Sequence, residues 1–287
     1  MYDRLADLPL VVDGYDLEGA SLETSSGFTR VSTTVTLSGD GERGRGEDVG
    51  YGADDQRRFR RTYGDGGLDF AGEYTFGSFA ARLDDRELFP APPERPADRH
   101  YRRWAVESAA LDLALRQADT TLGDALGRDR DSVRFVVSTR LETPARLDGI
   151  REVHPGAEFK LDPTEEWDRP FVEAVADRVS WDAPITGVDS VEALPFDPEW
   201  LNIKPSRFGT VESLLETIAH CEARDIALYG GGQFELGVGR GQIQTLASLF
   251  YPDAPNDVAP GAYNAASLDD DLPTSPLEPP TDRAGFR

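Results

Sequence analysis

From residue 134 to residue 250 the sequence alternates short apolar runs with amphipathic stretches, and that alternation restricts the chain to few folds. RFVVST (134–139), AEFKLD (157–162), VSWDAP (179–184), LNIKPS (201–206) and IALYGGG (226–232) read as strands. ARLDGIREV, RPFVEAVADR, TVESLLETIAHCEARD and GQIQTLASLF read as helices. In the third of these, Leu214, Leu215, Ile218 and Cys221 share one face. In the fourth, Ile243, Leu246, Ala247 and Phe250 recur at i, i+3, i+4 and i+7. Strands joined through helices run parallel, because a tight turn joins only antiparallel neighbours. The pattern therefore predicts a parallel sheet, open or closed into a barrel.

The preceding part of the chain follows another rule. Residues from about 8 to 50 alternate apolar and polar, with Val31, Thr33, Val35 and Leu37 on one face and a Gly/Asp turn at 39–41. This is the pattern of an antiparallel meander. ELFPAPPERPADRH is a proline-rich connector, and RRWAVESAALDLALRQADTTLGDALG is a helical segment that stops at Gly127. The fold class expected is α/β plus α+β: an α+β domain over 1–103, a set of β/α units over 104–264, and an extended Pro- and Asp-rich arm over 265–287. The arm is expected on the surface.

Composition excludes several functions and singles out two residues. With 30 Lys+Arg against 53 Asp+Glu, the formal charge is −23, which disfavours binding to nucleic acid phosphates. No run of about 18 apolar residues is present, so no membrane-spanning helix is expected. The N-terminus lacks a basic start followed by an apolar core, which points to a cytoplasmic protein. The single Cys221 excludes an intramolecular disulfide framework. Of the 30 basic residues only Lys160 and Lys204 are lysines. Abundant acid with almost no lysine fits a halophilic cytosol, where a carboxylate-rich surface stays hydrated in strong salt. A GC-rich genome gives a similar bias. Under either reading, two retained lysines are the first residues to question.

In a β/α barrel, side chains just past the C-terminal strand ends converge on one face. The candidates there are Asp162 or Lys160, Asp182, Lys204, and Gln233 or Glu235. Lysines and carboxylates at strand ends suit proton transfer beside a metal-stabilised anion. GGGQFELGVGRG lacks the Lys-Ser/Thr of a phosphate-binding loop and reads as a tight strand-to-helix turn. His100, His154 and His220 are scattered and form no recognisable motif.

On these residues the chain resembles the enolase superfamily, on its muconate-lactonizing and o-succinylbenzoate-synthase-like side. GRGEDVGY resembles the segment that ends the capping domain's sheet, and AVESAALDLALRQADTTLGDALG the helix that leads into the barrel. FKLD resembles the second-strand K-x-K motif, and NIKPSRFG through GQIQTLASLF the sixth and seventh β/α units. The resemblance covers most of residues 8–262 and implies a capping domain followed by a (β/α) barrel. It implies a lyase or isomerase that abstracts a proton α to the carboxylate of a small acid. Lys160 and Lys204 would be the proton-transfer pair, and Asp182 a ligand to Mg2+ or Mn2+. Asp162, Gln233 and Glu235 would be placed to contact substrate, with closure by capping segments around 14–28.

Two departures from the family pattern stand out. Asp162 occupies the place of the second lysine of K-x-K, where it could equally cap a loop or neutralise Lys160. Glu235 and Gln233 could likewise order the glycine-rich loop. Only 20 residues separate Asp162 from Asp182, too few for the two further β/α units that would carry the other metal ligands. The barrel is expected to be short by two units, closed in an unusual way, or completed in a homo-oligomer. The competing expectation is a non-catalytic relative that binds a small acid or serves as an assembly subunit.

Overall fold

The computed structural model describes residues 1–24, 27–139, 144–161, 185–194, 198–265, 268, 271–278 and 284–287. After a short helix α1 (Asp3–Ala6), strand β1 (Pro9–Val12) leads into a meander of β2 (Gly14–Glu23), β3 (Thr29–Gly39) and β4 (Glu42–Asp48), antiparallel in that order. The β3–β4 turn has Asp40 and Gly41 at φ of 51° and 79°. Left-handed backbone at both positions matches the twist of the strands that the turn joins. As the alternation predicts, Val31, Thr33, Val35 and Leu37 are all buried. Helix α2 (Ala53–Tyr63) covers β2 and β3, and β5 (Gly72–Thr75) pairs antiparallel with β1. Helix α3 (Phe76–Arg82) follows, opened by a capping box between Thr75 and Ser78.

The G-x-G-E segment has a steric explanation. Gly44 and Gly46 are two residues apart in β4, so they share one face of the strand. That face meets helix α4 (Asp98–Gln117) backbone to backbone. A Cβ on Gly44 would lie 2.2 Å from the Ala109 carbonyl oxygen, and one on Gly46 would lie 2.0 Å from the Ala105 carbonyl oxygen. Small residues at 105 and 109, one turn apart, complete the fit. Helix α4 is buried nearly all round, because the meander covers one side and the β/α part of the chain the other. It crosses residues 103 and 104 without a break. Two of its three buried acids reach across to other elements: Glu107 accepts from Val211 N at 2.8 Å, and Asp112 accepts from Arg45 N and Phe286 N, both at 2.9 Å.

Beyond the short helix α5 (Leu122–Leu126) the strands run parallel. Strand β6 (Val137–Thr139) leads through helix α6 (Pro144–Val153) to β7 (Phe159–Leu161), which pairs with it in parallel. Helix α7 (Val188–Glu192) precedes β8 (Trp200–Ile203). Strand β8 leads through helix α8 (Val211–Glu222) to its parallel partner β9 (Ala227–Gly230), and helix α9 (Val238–Phe250) follows. Single parallel bridges join the two pairs: Gly231 to Asp257, and Asn256 to Phe135. The result is one parallel arc in the order β8, β9, the 256–257 segment, β6, β7.

The helix faces match their periodicity. Leu214, Leu215, Ile218 and Cys221 are buried under α8, and Ile243, Leu246 and Ala247 under α9, with Phe250 partly buried. Each fully buried leucine or isoleucine contributes about 1.5–3 kcal/mol. One continuous apolar core joins the meander, α4 and the parallel arc. The strand and helix expected at VSWDAP and RPFVEAVADR lie outside the described residues, as does the 162–182 interval on which the expectation of a shortened barrel rests.

The expectation of a surface arm after 265 is corrected in part. Leu277 pairs with Val133, Ser275 Oγ accepts from Phe135 N at 2.9 Å, and Ser275 N donates to His154 Nε2 at 3.2 Å. Phe286 is buried against Trp104, with ring centroids 6.3 Å apart. Aromatic and aliphatic side chains spaced along the polar arm draw it into grooves that the other elements leave open. Among the described residues, no helix is long and apolar enough to cross a membrane.

Candidate functional site

The C-terminal ends of the arc converge as a barrel mouth would. Ser138 from β6, Lys160 from β7, Lys204 just past β8, Gln233 after β9 and Asp257 from the intervening segment line one cavity of about 150 Å3. Tyr51, Phe234, Arg240 and Tyr263 complete much of its wall. Among the described strands, the lysines belong to the two outermost of the arc, so they approach the cavity from opposite sides. Lys204 is buried, following Ile203 at the point where Pro205 ends the strand in a tight 3-10 turn. Lys160 Nζ is 3.2 Å from Asp257 Oδ2, with both side chains only about one-fifth exposed (21% and 18%).

Asp257 is held firmly. The neighbouring Asn256 side chain is fully buried and accepts from Gly230 N at 2.6 Å. Its Nδ2 donates to the carbonyls of Arg134, Tyr251 and Ala254 at 2.9–3.0 Å. Asp257 N then donates to Gly230 O at 2.8 Å. A segment with little apolar side chain of its own is thus fixed between two strands by one carboxamide.

The meander supplies the other side of the cavity. Tyr51 Oη donates to Gln233 Oε1 at 2.7 Å. The Arg30 guanidinium lies 4.5 Å above the Tyr51 ring and donates to the carbonyls of Phe234, Gly50 and Val49. Burial pushes the Tyr51 phenol up from its ordinary value, against the opposing pull of Arg30. The phenol therefore stays a hydrogen-bond donor at neutral pH. Phe28 packs edge-on against Phe234 at 5.2 Å, which places Phe28 against the cavity wall. Phe234 has φ of 58°, a left-handed conformation that costs a non-glycine residue about 1 kcal/mol or more. The Phe28 and Arg30 contacts hold it there.

Glu47, the acid of G-x-G-E, ties the meander to the loop after β9. Its carboxylate accepts from Leu236, Gly237 and Gly239 N at 2.7, 2.9 and 3.0 Å. These amides open helix α9, whose first turn otherwise leaves its N–H groups unpaired and carries partial positive charge. Glu235 stands behind Gln233. Its Oε1 accepts from Gln233 N at 2.7 Å, and its Oε2 lies 3.3 Å from Arg240 Nη2. Gly232 leaves room for that carboxylate: a Cβ there would lie 2.5 Å from Glu235 Oε2, so the acid would have to shift.

Of the residues expected at a site, Lys160, Lys204 and Gln233 are brought to one cavity, and Glu235 orders the loop that presents Gln233. Asp162 and Asp182 lie outside the described residues. Sequence reasoning missed Asp257, Tyr51, Arg30 and Arg240. Among the described residues, no group of three or more His, Cys, Asp or Glu side chains is placed to hold a metal ion. Among the described residues, the carboxylates of Asp257 and Glu235 near the cavity are already engaged, Asp257 by Lys160 and Glu235 by Arg240 and a backbone N–H. They do not fit a magnesium site, which wants several free oxygen ligands in octahedral array.

Comparisons with known proteins agree with this architecture. Residues 3–125 match the domain of unknown function (DUF8230) N-terminal domain, and residues 129–177 and 168–265 match the corresponding C-terminal domain. No curated protein matches the sequence. Among solved structures, a member of the enolase superfamily from Listeria innocua is 18% identical, with a TM-score of 0.61 over 88% of this chain and 86% of that one. A dipeptide epimerase from Enterococcus faecalis is 14% identical, with a TM-score of 0.63 over 90% of this chain and 92% of that one. Muconate lactonizing enzyme from Pseudomonas fluorescens, solved with muconolactone, is 17% identical, with a TM-score of 0.61 over 87% and 88%. Likeness at this level of identity speaks for the fold: a capping domain over a β/α barrel. The chain belongs to the DUF8230 family, whose two domains together take in residues 3–265, and it has the fold of the enolase superfamily.

Proposed function

We propose that the protein binds a small carboxylic acid and moves a proton at the carbon α to its carboxylate, as a lyase or isomerase. The observation that carries this reading is that the only two lysines of the chain line the same cavity from opposite ends of the arc. Arginine stays charged at any ordinary pH, whereas a lysine shielded from water can exchange its proton near neutrality. A chain that uses arginine almost everywhere else keeps lysine where proton exchange is chemically useful. The names of two structural neighbours, a dipeptide epimerase and a muconate lactonizing enzyme, are in keeping with such chemistry.

The surrounding residues suit the charges involved. The Lys and Arg side chains at the cavity attract an anion despite the net charge of −23. Gln233, with its carboxamide oxygen turned to Tyr51, can offer its Nε2 hydrogens to developing negative charge on the substrate. Phe28, Phe234 and Tyr51 exclude water and strengthen these interactions. A divalent cation such as Mg2+ or Mn2+ held through Asp182 would neutralise the enolate in the superfamily's manner. The described residues do not supply its site, and no step here depends on it.

The test is deuterium exchange from solvent into the α position of a panel of small carboxylic acids, with and without Mg2+ or Mn2+. The expected result is exchange with at least one acid, reduced about 100-fold or more in Lys160→Ala, Lys204→Ala or both. Unchanged exchange in both variants would refute the assignment. If no acid exchanges while one still binds, the protein is a non-catalytic small-acid binder.

A further inference from the structure

We propose that Arg240 is the carboxylate receptor of the cavity: its guanidinium, tethered on one side by Glu235, takes a carboxylate of the small acid on the other, together with Gln233 Nε2. This rests on the reading of the cavity as a small-acid site. It names the groups that hold the acid and leaves open those that move its proton.

Other buried arginines of the chain spend their donors inside the fold. Arg102, 1% exposed, donates to Asp48 Oδ2 at 2.7 Å and to Leu88 O at 3.1 Å, and Arg30 donates to three backbone carbonyls. Arg240 is 9% exposed, yet its Nε is buried with no hydrogen-bond acceptor. Its ion pair among the described residues is Nη2 to Glu235 Oε2 at 3.3 Å. A guanidinium is a planar fork of N–H donors that cannot shed its charge, and leaving those donors unpaired in a shielded place is costly. In the wall of a cavity, such a group suits an acceptor that enters with a ligand. Both oxygens of a carboxylate match the fork.

The local structure turns the fork to the cavity. Arg240 lies in the first turn of α9, and helical side chains lean toward the N-terminus, here back over the loop that follows β9. A Cβ on Gly232 would lie 3.1 Å from Arg240 Nη1, so the missing side chain gives the guanidinium its room. Gly232, Gln233 and Arg240 all line the cavity. The amides that open α9 are already taken by Glu47, so the anion receptor is the side chain and not the helix end. Gln233 is 4% exposed and its Oε1 accepts from Tyr51 Oη, which leaves Nε2 as the donor it can offer a ligand. Glu235 organises both: one oxygen accepts from Gln233 N, and the other faces Arg240. A lysine would hold an anion as a point charge, whereas the fork also fixes the plane of the carboxylate and hence the direction of its α-carbon.

Five glutamines in the whole chain make the site directly readable. In the full chain labelled with side-chain 15N-glutamine, the Gln233 NH2 pair is assigned with Gln233→Met and followed by NMR. Acetate and succinate are the probes, titrated in EDTA, with chloride at matched ionic strength as the comparison. The Gln233 pair should shift saturably with at least one acid and not with chloride. The double variant Arg240→Gln with Glu235→Gln removes both charges, so neither is left buried alone. It should weaken binding about 10-fold or more. Arg240→Lys keeps the charge and loses the fork; it should also weaken binding, and it replaces the double variant if that one does not fold. No saturable shift with either acid, an equal shift with chloride, binding only when Mg2+ replaces EDTA, or unchanged affinity in the variant overturns the proposal. If an acid binds through Arg240 while none exchanges its α-proton, the receptor is supported and the proton-transfer reading fails. Exchange with an unchanged KM in the variant overturns the receptor and leaves that reading in place.

Discussion

Replacing Glu47 with Gln tests whether the cap is anchored to the barrel through one carboxylate. The native side chain is 2% exposed and accepts three backbone N–H groups at the start of α9. Gln keeps one carbonyl oxygen, which can serve Gly237 and Gly239, but its NH2 group then faces the Leu236 N–H. One buried donor is left unsatisfied, at about 1–3 kcal/mol. Loss of the negative charge beside the helix N-terminus adds about 0.3–1 kcal/mol. The expected destabilisation is therefore about 1.3–4 kcal/mol. Removing an acid from a chain of net charge −23 would by itself relieve repulsion, so the local loss has to overcome a global gain. With a urea m-value near 3 kcal/mol/M, the midpoint should fall by roughly 0.4–1.3 M. Equilibrium urea unfolding, followed by fluorescence and circular dichroism, reads it. A midpoint shift below about 0.2 M with unchanged slope would show that the three hydrogen bonds do not anchor the cap.

Two further substitutions probe packing and pH. Gly46→Ala would drive a methyl group into the Ala105 carbonyl at 2.0 Å. The strand and α4 would have to separate, and the expected loss is about 3 kcal/mol or more in urea unfolding. A cost below 1 kcal/mol would contradict the close backbone approach. Burial lowers the His154 pKa from its ordinary value, and its neutral Nε2 accepts from Ser275 N. Below about pH 6.5 the unfolded chain takes up a proton that the folded one resists. His154 therefore contributes stability that is complete above that pH and declines as pH falls toward its folded value. Urea midpoints of the wild type and His154→Gln between pH 5 and pH 8 should differ in slope over this window, and parallel curves would dismiss the linkage.

Much of the architecture was legible because it depends on local repetition. The faces of α8 and α9, the meander and its Asp-Gly turn, and the alternation of strand and helix all follow from periods of 3.6 and 2. The lysine pair was legible for a different reason: a strong compositional bias turned two ordinary residues into exceptions. What the sequence concealed was contact across distance. Tyr51 meets Gln233 over 182 positions, and Arg30 meets Phe234 over 204. Asp257 escaped because its strand-like segment has almost no apolar run. Its place is set by the Asn256 side chain, which periodicity does not register. The role of Glu47 was equally hidden, although the spacing of Gly44 and Gly46 could have signalled a helix lying on that strand.

The enclosure of α4 bears on how the molecule opens. Family boundaries divide the sequence between 125 and 129, yet this helix has apolar or carboxylate contacts to the meander, to α8 and to the arm that carries Phe286. A boundary in sequence is then not a boundary in cooperativity. Amides along α4 should exchange with solvent only through the largest unfolding event of the chain, at the same rate as those at the centre of β3. Excising either half at that boundary would expose a full flank of the helix. The expected outcome is a single unfolding transition spanning both family domains.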